Sequence, residues 1–311
     1  MYDNVDFGIQ SQDVGGLDFL SEVPRFIEIS GEHNFDGNMV LSGNIGSMSV
    51  SISTNCLKVK NGSLCKWYLG NNFQTMQRAD TRLAIEKLSD ILHLPMERAG
   101  VSRIDVAQNF IVKHPPDVYY NHLGAYDRYK RLEQPDGLYY INSNGILVFY
   151  NKTKEQQDKR QPIPDLYKDR NVLRYEQRYK RRLSNTFSIG RVTAACLYDE
   201  AFYVGIINRW KEAYSRIKKI NEIQLNFEGM RTKKDLYKLG VLSLVEKEGG
   251  QLIFLKQIAE AQRRGDITNR QAFDLRGAID EACKVREGLN IKSEAISELD
   301  KKVSEAAKFY R

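Results

Sequence analysis

Three segments of the chain carry carboxylates, cations and a tyrosine at spacings that suit phosphoryl-transfer chemistry. They cover residues 101–112, 146–152 and 172–180. Each is rich in β-branched and aromatic residues with visible alternation, which predicts a strand. Residues two apart in a strand share a face, so each segment is predicted to place its polar side chains on one side. If the three strands belong to one sheet, that polar face suits metal-assisted attack on a phosphodiester.

The predicted polar face combines two candidate metal ligands with several cations and one phenol. Its members are Arg103 and Asp105 in the first segment, Tyr150 and Lys152 in the second, and Arg174, Glu176, Arg178 and Lys180 in the third. Carboxylates are hard oxygen donors of the type that Mg²⁺ and Mn²⁺ prefer. Asp105 and Glu176 are therefore the predicted ligands of a divalent metal, and the sequence identifies no third protein ligand.

Tyr150 is the predicted nucleophile. A tyrosine hydroxyl that attacks a DNA phosphodiester conserves the bond energy in a covalent enzyme–phosphate bond and leaves a free 3′-OH to prime synthesis. Because the ordinary pKa of a tyrosine is roughly 10, the hydroxyl needs help from a metal or a cation. Arg103, Lys152 or Arg174 could offset the charge that develops in the transition state.

The net charge of +7 conceals a strong asymmetry along the chain. Residues 1–36 carry a net charge of −7, which leaves +14 on the rest, and residues 151–182 hold eleven Lys and Arg against five Asp and Glu. Lys and Arg neutralise phosphates, and the tyrosines interleaved with this segment could stack on unpaired bases. The segment therefore predicts DNA contacts, which we place at Lys154, Arg178, Lys180, Arg181 and Arg182.

The order of sequence patterns predicts an α+β protein. Residues 1–22 are acidic and contain glycine, and they are predicted to be a poorly ordered, flexible N-terminus. Residues 23–185 are predicted to form the catalytic domain, an antiparallel sheet with helices on one face, including a helix within 75–94. Residues 113–140 are interpreted as a loop-and-helix excursion. Residues 186–311 show helical spacing and are predicted to form a separate α-helical C-terminal domain.

The three segments resemble the filamentous-phage replication initiators of the gene-two/gene-ten type and their plasmid relatives. That family of rolling-circle nickases pairs an Arg-Ile-Asp strand with an apolar strand ending in Tyr-x-Lys and an Arg-[Phe/Tyr]-Glu-x-Arg strand. The chain has all three in the same order, as Arg103-Ile-Asp105, Tyr150-Asn-Lys152 and Arg174-Tyr-Glu176-Gln-Arg178. The resemblance covers roughly residues 60–185 and implies a relaxase/initiator type of sheet, a tyrosine nucleophile and dependence on a divalent metal.

The predicted function is metal-dependent, site- and strand-specific DNA nicking and joining that initiates rolling-circle replication of a phage or plasmid. The same chemistry could serve a relaxase in conjugative mobilisation. The basic sheet face alone could serve a DNA-binding protein without catalysis. The chain lacks the His-hydrophobic-His pair through which many relaxases and initiators bind metal, so the resemblance implies the variant that uses carboxylates.

Each predicted site residue also has a structural explanation. Asp105 and Glu176 could be partners of arginines in cross-strand ion pairs on a solvated face. Tyr150 ends an apolar run and could belong to the core. The rival nucleophiles, none of which lies in a matched motif, are Tyr119, Tyr120, Tyr139 and Tyr140.

DNA at a replication origin is the predicted partner, and residues 186–311 could bind that DNA, form a homodimer or recruit a host helicase. No apolar run approaches the roughly 18–20 residues that span a bilayer, and the start of the chain has no secretory pattern. The four cysteines form no CxxC pair, so we expect reduced thiols, with a Cys56–Cys65 disulfide as the alternative. These features predict a cytoplasmic protein of a bacterial host cell, with no membrane attachment.

Overall fold

The computed structural model describes residues 1–35, 37–220, 232–248, 250–285 and 293–310. Within these ranges, ten strands form one antiparallel sheet. The strands are β1 (Tyr2–Gln10), β2 (Glu28–Phe35), β3 (Asn38–Ile45), β4 (Met48–Ser53), β5 (Cys56–Lys60), β6 (Gly100–Val112), β7 (Lys130–Gln134), β8 (Gly137–Ile141), β9 (Gly145–Asn151) and β10 (Asn171–Tyr179). The helices are α1 (Phe19–Glu22), α2 (Leu64–Leu69), α3 (Arg78–Leu92), α4 (Pro116–Asn121), α5 (Lys152–Asp158), α6 (Leu183–Phe187), α7 (Glu200–Arg216), α8 (Lys233–Lys247), α9 (Gln251–Arg264), α10 (Asn269–Val285) and α11 (Glu294–Phe309).

The sheet order is β2-β3-β4-β5-β1-β6-β10-β9-β8-β7. The three strands that carry the predicted site, β6, β10 and β9, are therefore direct neighbours. The predicted α+β class, the antiparallel sheet and the helical C-terminal part are confirmed. No helix in the described ranges is both long and apolar enough to cross a membrane.

The N-terminal segment is a central strand of the sheet, so the prediction that residues 1–22 are poorly ordered is wrong. β1 pairs with β5 on one side and with β6 on the other. Val5, Phe7 and Ile9 alternate along it, and each is at most 1% exposed. The alternation is the better guide to the structure here, because burying three large apolar side chains stabilises the strand. The acidic residues around them do not prevent this burial.

A bulge in β1 changes which way its polar residues point. Tyr2 pairs with Val106, and Val5 pairs with Ile104. Between these two pairs β1 contains two residues and β6 contains one. Bulges re-aim side chains and are over-represented beside functional sites. Here Asp3 and Asn4, the two residues inside the bulge, both form hydrogen bonds to side chains of the polar face.

The opposite face of the sheet is covered by helices. Tyr175 on β10 stacks on Trp210 of α7 with ring centroids 4.9 Å apart, and its hydroxyl donates to the Trp210 carbonyl at 3.0 Å. α7 begins where the Asp199 side chain accepts a hydrogen bond from the amide of Phe202, an N-cap that satisfies a free helix donor. α11 adds Leu299, which is fully buried in the same hydrophobic cluster.

The packing differs from the predicted domain boundary at residues 185/186. α7 and α11 were predicted to lie in a separate helical domain, yet their apolar stripes complete the core of the sheet. Among the described helices, α8, α9 and α10 form a cluster of their own, around Val245, Ile258, Ala272 and Ile279. Sequence periodicity detects an apolar stripe but does not reveal which partner buries it.

Two further segments differ from their predicted structure. Residues 113–140 contain α4 and the β7–β8 hairpin, and residues 64–69, interpreted as an alternating run, form α2. The Ser63 hydroxyl accepts a hydrogen bond from the amide of Lys66 and so caps α2 at its N-terminus. None of the four cysteines is in a disulfide, in agreement with the expected thiols.

Candidate active site

The registers of β6, β10 and β9 bring the predicted polar residues onto one face. Arg178 lies opposite Asp105 on β6, and Arg174 lies opposite Tyr150 on β9. Opposed residues of antiparallel strands point to the same side of the sheet. Because Glu176 has the same parity as its two neighbouring arginines, the tyrosine, both carboxylates and the arginines share this face.

A cleft of about 670 Å³ opens on the polar face. Its walls come from the β1 bulge, the loop before α2, strands β8 to β10 and helix α5. Tyr150 and Glu176 line it, and Tyr150 is half-buried rather than sealed in the core. The cleft is therefore large enough for part of a polymeric substrate, and it gives that substrate access to the predicted nucleophile.

The surroundings of Tyr150 act on its pKa in opposing directions. Burial of the phenol raises the pKa well above its ordinary value, the charge of Arg174 lowers it, and the charges of Glu176 and Asp3 raise it further. An unassisted Tyr150 is thus a neutral phenol. Any deprotonation that precedes attack depends on positive charge near the ring, and the charge of Arg174 lowers the pKa of Tyr150 in this structure.

Arg174 is 1% exposed and is held from several sides. It donates to the Asn72 carbonyl at 3.0 Å, to Asn109 Oδ1 at 3.1 Å and to the carboxylate of Asp3. Burial alone would raise the pKa of Asp3, but the charge of Arg174 and a hydrogen bond from Ser63 outweigh it and lower that pKa. Arg174 is thus a fixed, pre-oriented positive charge beside the tyrosine.

The two predicted metal ligands are both held by arginines. Arg103 donates to Asp105 Oδ1 at 2.9 Å and to Oδ2 at 2.5 Å. Arg178 donates from Nε to Glu176 Oε1 at 3.0 Å, and Arg174 Nε lies 3.7 Å from Oε2. These are the ion pairs that a purely structural explanation anticipates. Unlike ion pairs on a solvated face, however, the carboxylates are buried, at 0% and 2% exposure.

Burial raises the pKa of Asp105 to about 7, with Arg103 lowering it and the charge of Glu176 raising it further. The two carboxylates therefore repel each other, and a bound cation would relieve that repulsion. A third carboxylate oxygen, Asp6 Oδ1, is buried without a hydrogen-bond partner among the described residues, and Asp6 pairs with Arg103 across the β1–β6 ladder. This donor chemistry fits a hard divalent cation.

The geometry does not present a ready-made metal site. Among the residues that the structure describes, no three His, Cys, Asp or Glu side chains are grouped closely enough to hold a metal ion. Binding at Asp105 and Glu176 would require Arg103 or Arg178 to turn away from the carboxylate it now holds. The predicted metal thus fits the donor atoms but requires a local rearrangement.

Lys152 and Arg103, two predicted catalytic residues, lie beside the cleft and do not line it. Lys152 is 1% exposed, and its Nζ donates to Glu155 Oε2 at 2.8 Å. Burial and the nearby charge of Arg174 lower its pKa. Arg103 is engaged by Asp105. This arrangement therefore places neither side chain in direct contact with a reacting phosphate.

The predicted DNA contacts fall into two groups. Lys154 on α5 and Arg178 line the cleft. The other three are exposed and follow the end of β10, namely Lys180, Arg181 and Arg182. The cleft lining itself is mixed, with five Asp or Glu side chains and four Lys or Arg. Phosphate binding there would depend on individual cations and not on a uniformly positive wall.

The sequence interpretation missed Asp3 and Asn4, which the bulge directs to Arg174 and Asp105. The alternation of Val5, Phe7 and Ile9 was a signal that a strand begins here, but nothing in the sequence indicates the bulge. Of the rival tyrosines, only Tyr139 lines the cleft, and its hydroxyl donates to Asp136 at 2.6 Å. The other three are buried and do not line the cleft: Tyr119 and Tyr120 lie on α4, and Tyr140 lies on β8, where its hydroxyl donates to the Leu123 carbonyl.

The fold and the cleft together define an α+β protein in which one face of an antiparallel sheet sets a tyrosine among buried arginines and carboxylates. The family model for the N-terminal part of the replication-associated protein of phage gene II matches residues 1–199, and the chain belongs to this family. The resemblance to the gene-two type of phage replication initiator is thereby confirmed, and that role implies DNA as the partner. Comparison with curated proteins gave no match.

Proposed function

We propose that this protein nicks one strand of origin DNA through Tyr150 and later rejoins it, to start rolling-circle replication of a phage or plasmid. The observation that carries the proposal is the position of Tyr150, half-buried in the cleft with the fixed charge of Arg174 beside it. The family's role in replication favours this use of the chemistry over conjugative mobilisation.

The proposed reaction conserves the phosphodiester. The Tyr150 phenol oxygen attacks phosphorus, a new phosphotyrosine bond forms, and the 3′-oxygen leaves and takes up a proton. The reverse reaction rejoins the strand without ATP. Arg174, which is buried behind the cleft, favours the phenolate through its charge, and because its partners hold it in place it needs no reorganisation during the reaction.

A divalent metal fits the proposal at the buried carboxylates. Asp105 and Glu176 would hold it once an arginine turns aside, and the other ligand positions would be left to water or the substrate phosphate. When bound, Mg²⁺ or Mn²⁺ would polarise the scissile phosphate. Lys154 and Arg178, which line the cleft, would position the strand through its phosphates.

Tyr150→Phe tests the nucleophile. We expect wild-type protein with Mg²⁺ or Mn²⁺ to form a covalent adduct on labelled origin DNA in a denaturing gel, and chelation of the metal to prevent it. Tyr150→Phe should give no adduct while duplex binding changes by less than about twofold, because no phosphate contact is removed.

Tyr139→Phe is the matched control, since Tyr139 lines the same cleft and is already paired with Asp136. We expect this variant to form the adduct. An adduct that survives in Tyr150→Phe and disappears in Tyr139→Phe would assign the chemistry to Tyr139. Specific origin binding with no adduct from either tyrosine would mean that the protein only binds DNA, and that the arginine–carboxylate pairs are structural.

A further inference from the structure

A second cavity lies on the helix-covered face of the sheet, away from the tyrosine cleft. It has a volume of about 310 Å³ and is enclosed by the end of β10, the turn between β8 and β9, and α7. This volume is at the lower end of the range for small-ligand pockets, roughly 300 to 1,000 Å³. The site proposed above uses neither this cavity nor the side chains that line it, apart from Arg178.

Gln177 gives this cavity an unsatisfied acceptor. The side chain is 8% exposed, and its Oε1 is shielded from water with no hydrogen-bond partner among the described residues. Burying an unpaired amide oxygen destabilises a protein, so such atoms are rare and require an explanation. A ligand that donates an N–H into the cavity would satisfy it.

Aromatic and amide groups line the same cavity. Tyr126 and Tyr129 stack with ring centroids 4.3 Å apart and an angle of 7° between the rings. Both line the cavity and are half-exposed, so part of the stacked pair is accessible to a second ring system. Asn142 and Asn144 lie on the β8–β9 turn at the rim. Stacked aromatics beside amide groups are the means by which proteins hold unpaired bases.

Two arginines complete the lining. Arg209 and Arg216 are seven residues apart on α7 and so lie on one face of the helix, toward the cavity. Arg216 pairs with Glu212 at 2.6 Å, whereas Arg209 lies over the Phe187 ring at 5.7 Å and is exposed. Guanidinium groups at this position suit a phosphate beside the base.

We propose that this cavity binds one unpaired nucleotide of a single DNA strand. The base stacks on Tyr126, an N–H of the base donates to Gln177 Oε1, and the adjoining phosphate contacts Arg209. Arg178 lines both cavities, and the exposed cations that follow β10 lie just beyond it, so a strand leaving the tyrosine cleft has a positively charged route to this pocket. The inference rests on the proposed function only in taking DNA as the ligand.

The test measures binding of a labelled single-stranded 12-mer by fluorescence anisotropy, at fixed salt, with the full chain. Arg209→Ala and Gln177→Leu should each weaken binding by about five- to tenfold, as expected when one contact to the phosphate or one hydrogen bond to the base is lost. Both variants should keep the thermal unfolding temperature and the covalent adduct of the wild type. Gln177→Leu replaces a buried amide whose oxygen is unpaired with an apolar side chain, so it should not unfold the protein.

Arg82→Ala on α3 is the control, because Arg82, like Arg209, is an exposed arginine on a helix but lies outside the cavity. A 12-mer with abasic sites throughout isolates the base: wild type should lose affinity for it, and Gln177→Leu should lose little more. The proposal would be overturned if Arg209→Ala and Gln177→Leu lost no more affinity for the 12-mer than Arg82→Ala. Competition by free dTMP in wild type, with the variants binding the 12-mer normally, would assign the pocket to a free nucleotide and equally overturn it.

Failure of the two proposals is distinguishable. A wild-type protein that forms no adduct, but whose strand binding depends on Gln177 and Arg209, would contradict the nicking proposal and support the nucleotide pocket. A wild-type protein that forms the adduct, with variants that bind the 12-mer normally, would support the nicking proposal and contradict the nucleotide pocket.

Discussion

At the residue scale, the buried Asp105 links the candidate site to the stability of the fold. Burial raises its pKa to about 7. A carboxyl with a higher pKa in the folded than in the unfolded state binds its proton more tightly when folded. Its ionisation therefore lowers the free energy of unfolding as pH rises from about 4 to about 7, and this loss of stability is complete above about pH 7.

Asp105→Asn should abolish this pH dependence. The free energy of unfolding of the wild type should fall relative to that of the variant between pH 5 and pH 8, by an amount on the order of a few kcal/mol. Urea unfolding at several pH values measures it. Asp90→Asn, at an exposed position on α3, should run parallel to the wild type, and a parallel curve for Asp105→Asn would contradict the explanation.

Strand parity alone predicted much of the site. It placed Tyr150, Arg174, Glu176 and Asp105 on one face, and the ladders of β6, β10 and β9 confirm that arrangement. Parity fails where a strand is not regular. The Asn151 side chain accepts a hydrogen bond from the amide of Lys154 at 3.0 Å and caps α5, so the strand ends before Lys152 and the lysine turns into a buried position.

At the element scale, β1 holds the two halves of the sheet together. Strands β2 to β5 lie on one side of it and strands β6 to β10 on the other. It also places Asp3 where its carboxylate accepts a hydrogen bond from Arg174. The same nine residues thus determine both the continuity of the sheet and the orientation of the charge beside Tyr150.

Phe7→Ala tests the structural part of that role. Phe7 is 1% exposed in the main core, so the substitution should lower the free energy of unfolding by about 3–5 kcal/mol. Phe309→Ala on α11, where the side chain is 69% exposed, should cost less than about 1 kcal/mol. Chemical denaturation of both variants gives the comparison. Similar values for the two would contradict a central, packed β1.

Elements with a regular period were predictable, and elements that depend on distant partners were not. α3 and α7 to α11 follow from their apolar spacing, and β6 and β10 from alternation. The β7–β8 hairpin was missed because its strands are five residues each and rich in tyrosine and charge. α2 was missed because the position of its N-cap, Ser63, depends on a distant strand. The Ser63 hydroxyl donates a hydrogen bond to Asp3 of β1.

At the scale of the whole molecule, the helical part of the chain serves two purposes. α7 and α11 close the core of the sheet, while α8 to α10 bury their apolar residues against one another. The predicted roles of the C-terminal part in dimerisation, origin binding or recruitment of a host helicase stay predictions. They are now best assigned to α8–α10, since the core-facing sides of α7 and α11 are occupied.

Deleting residues 232–285 tests this division. The remaining chain keeps α7 and α11 on the sheet, so its main thermal transition and its covalent adduct on DNA should persist. Truncation after residue 285 instead removes α11, with the buried Leu299 and the Asp300 that accepts a hydrogen bond from Tyr214, and should lower the unfolding temperature by at least several degrees. Calorimetry of both variants measures the effect. Loss of the main transition in the internal deletion would show that α8–α10 support the core.

The central position of β1 has a further consequence for the order in which the molecule folds. Phe7 pairs with Val59 on one side and with Val101, 94 residues further along the chain, on the other, and β6 then pairs with β10. Such long-range pairings slow folding because a large loop must close before any contact is gained. Since Tyr150, Arg174 and Asp3 come from three strands joined in this way, the cleft is complete only after these long-range pairings have formed. A nascent chain that has not yet reached β10 therefore has no complete site.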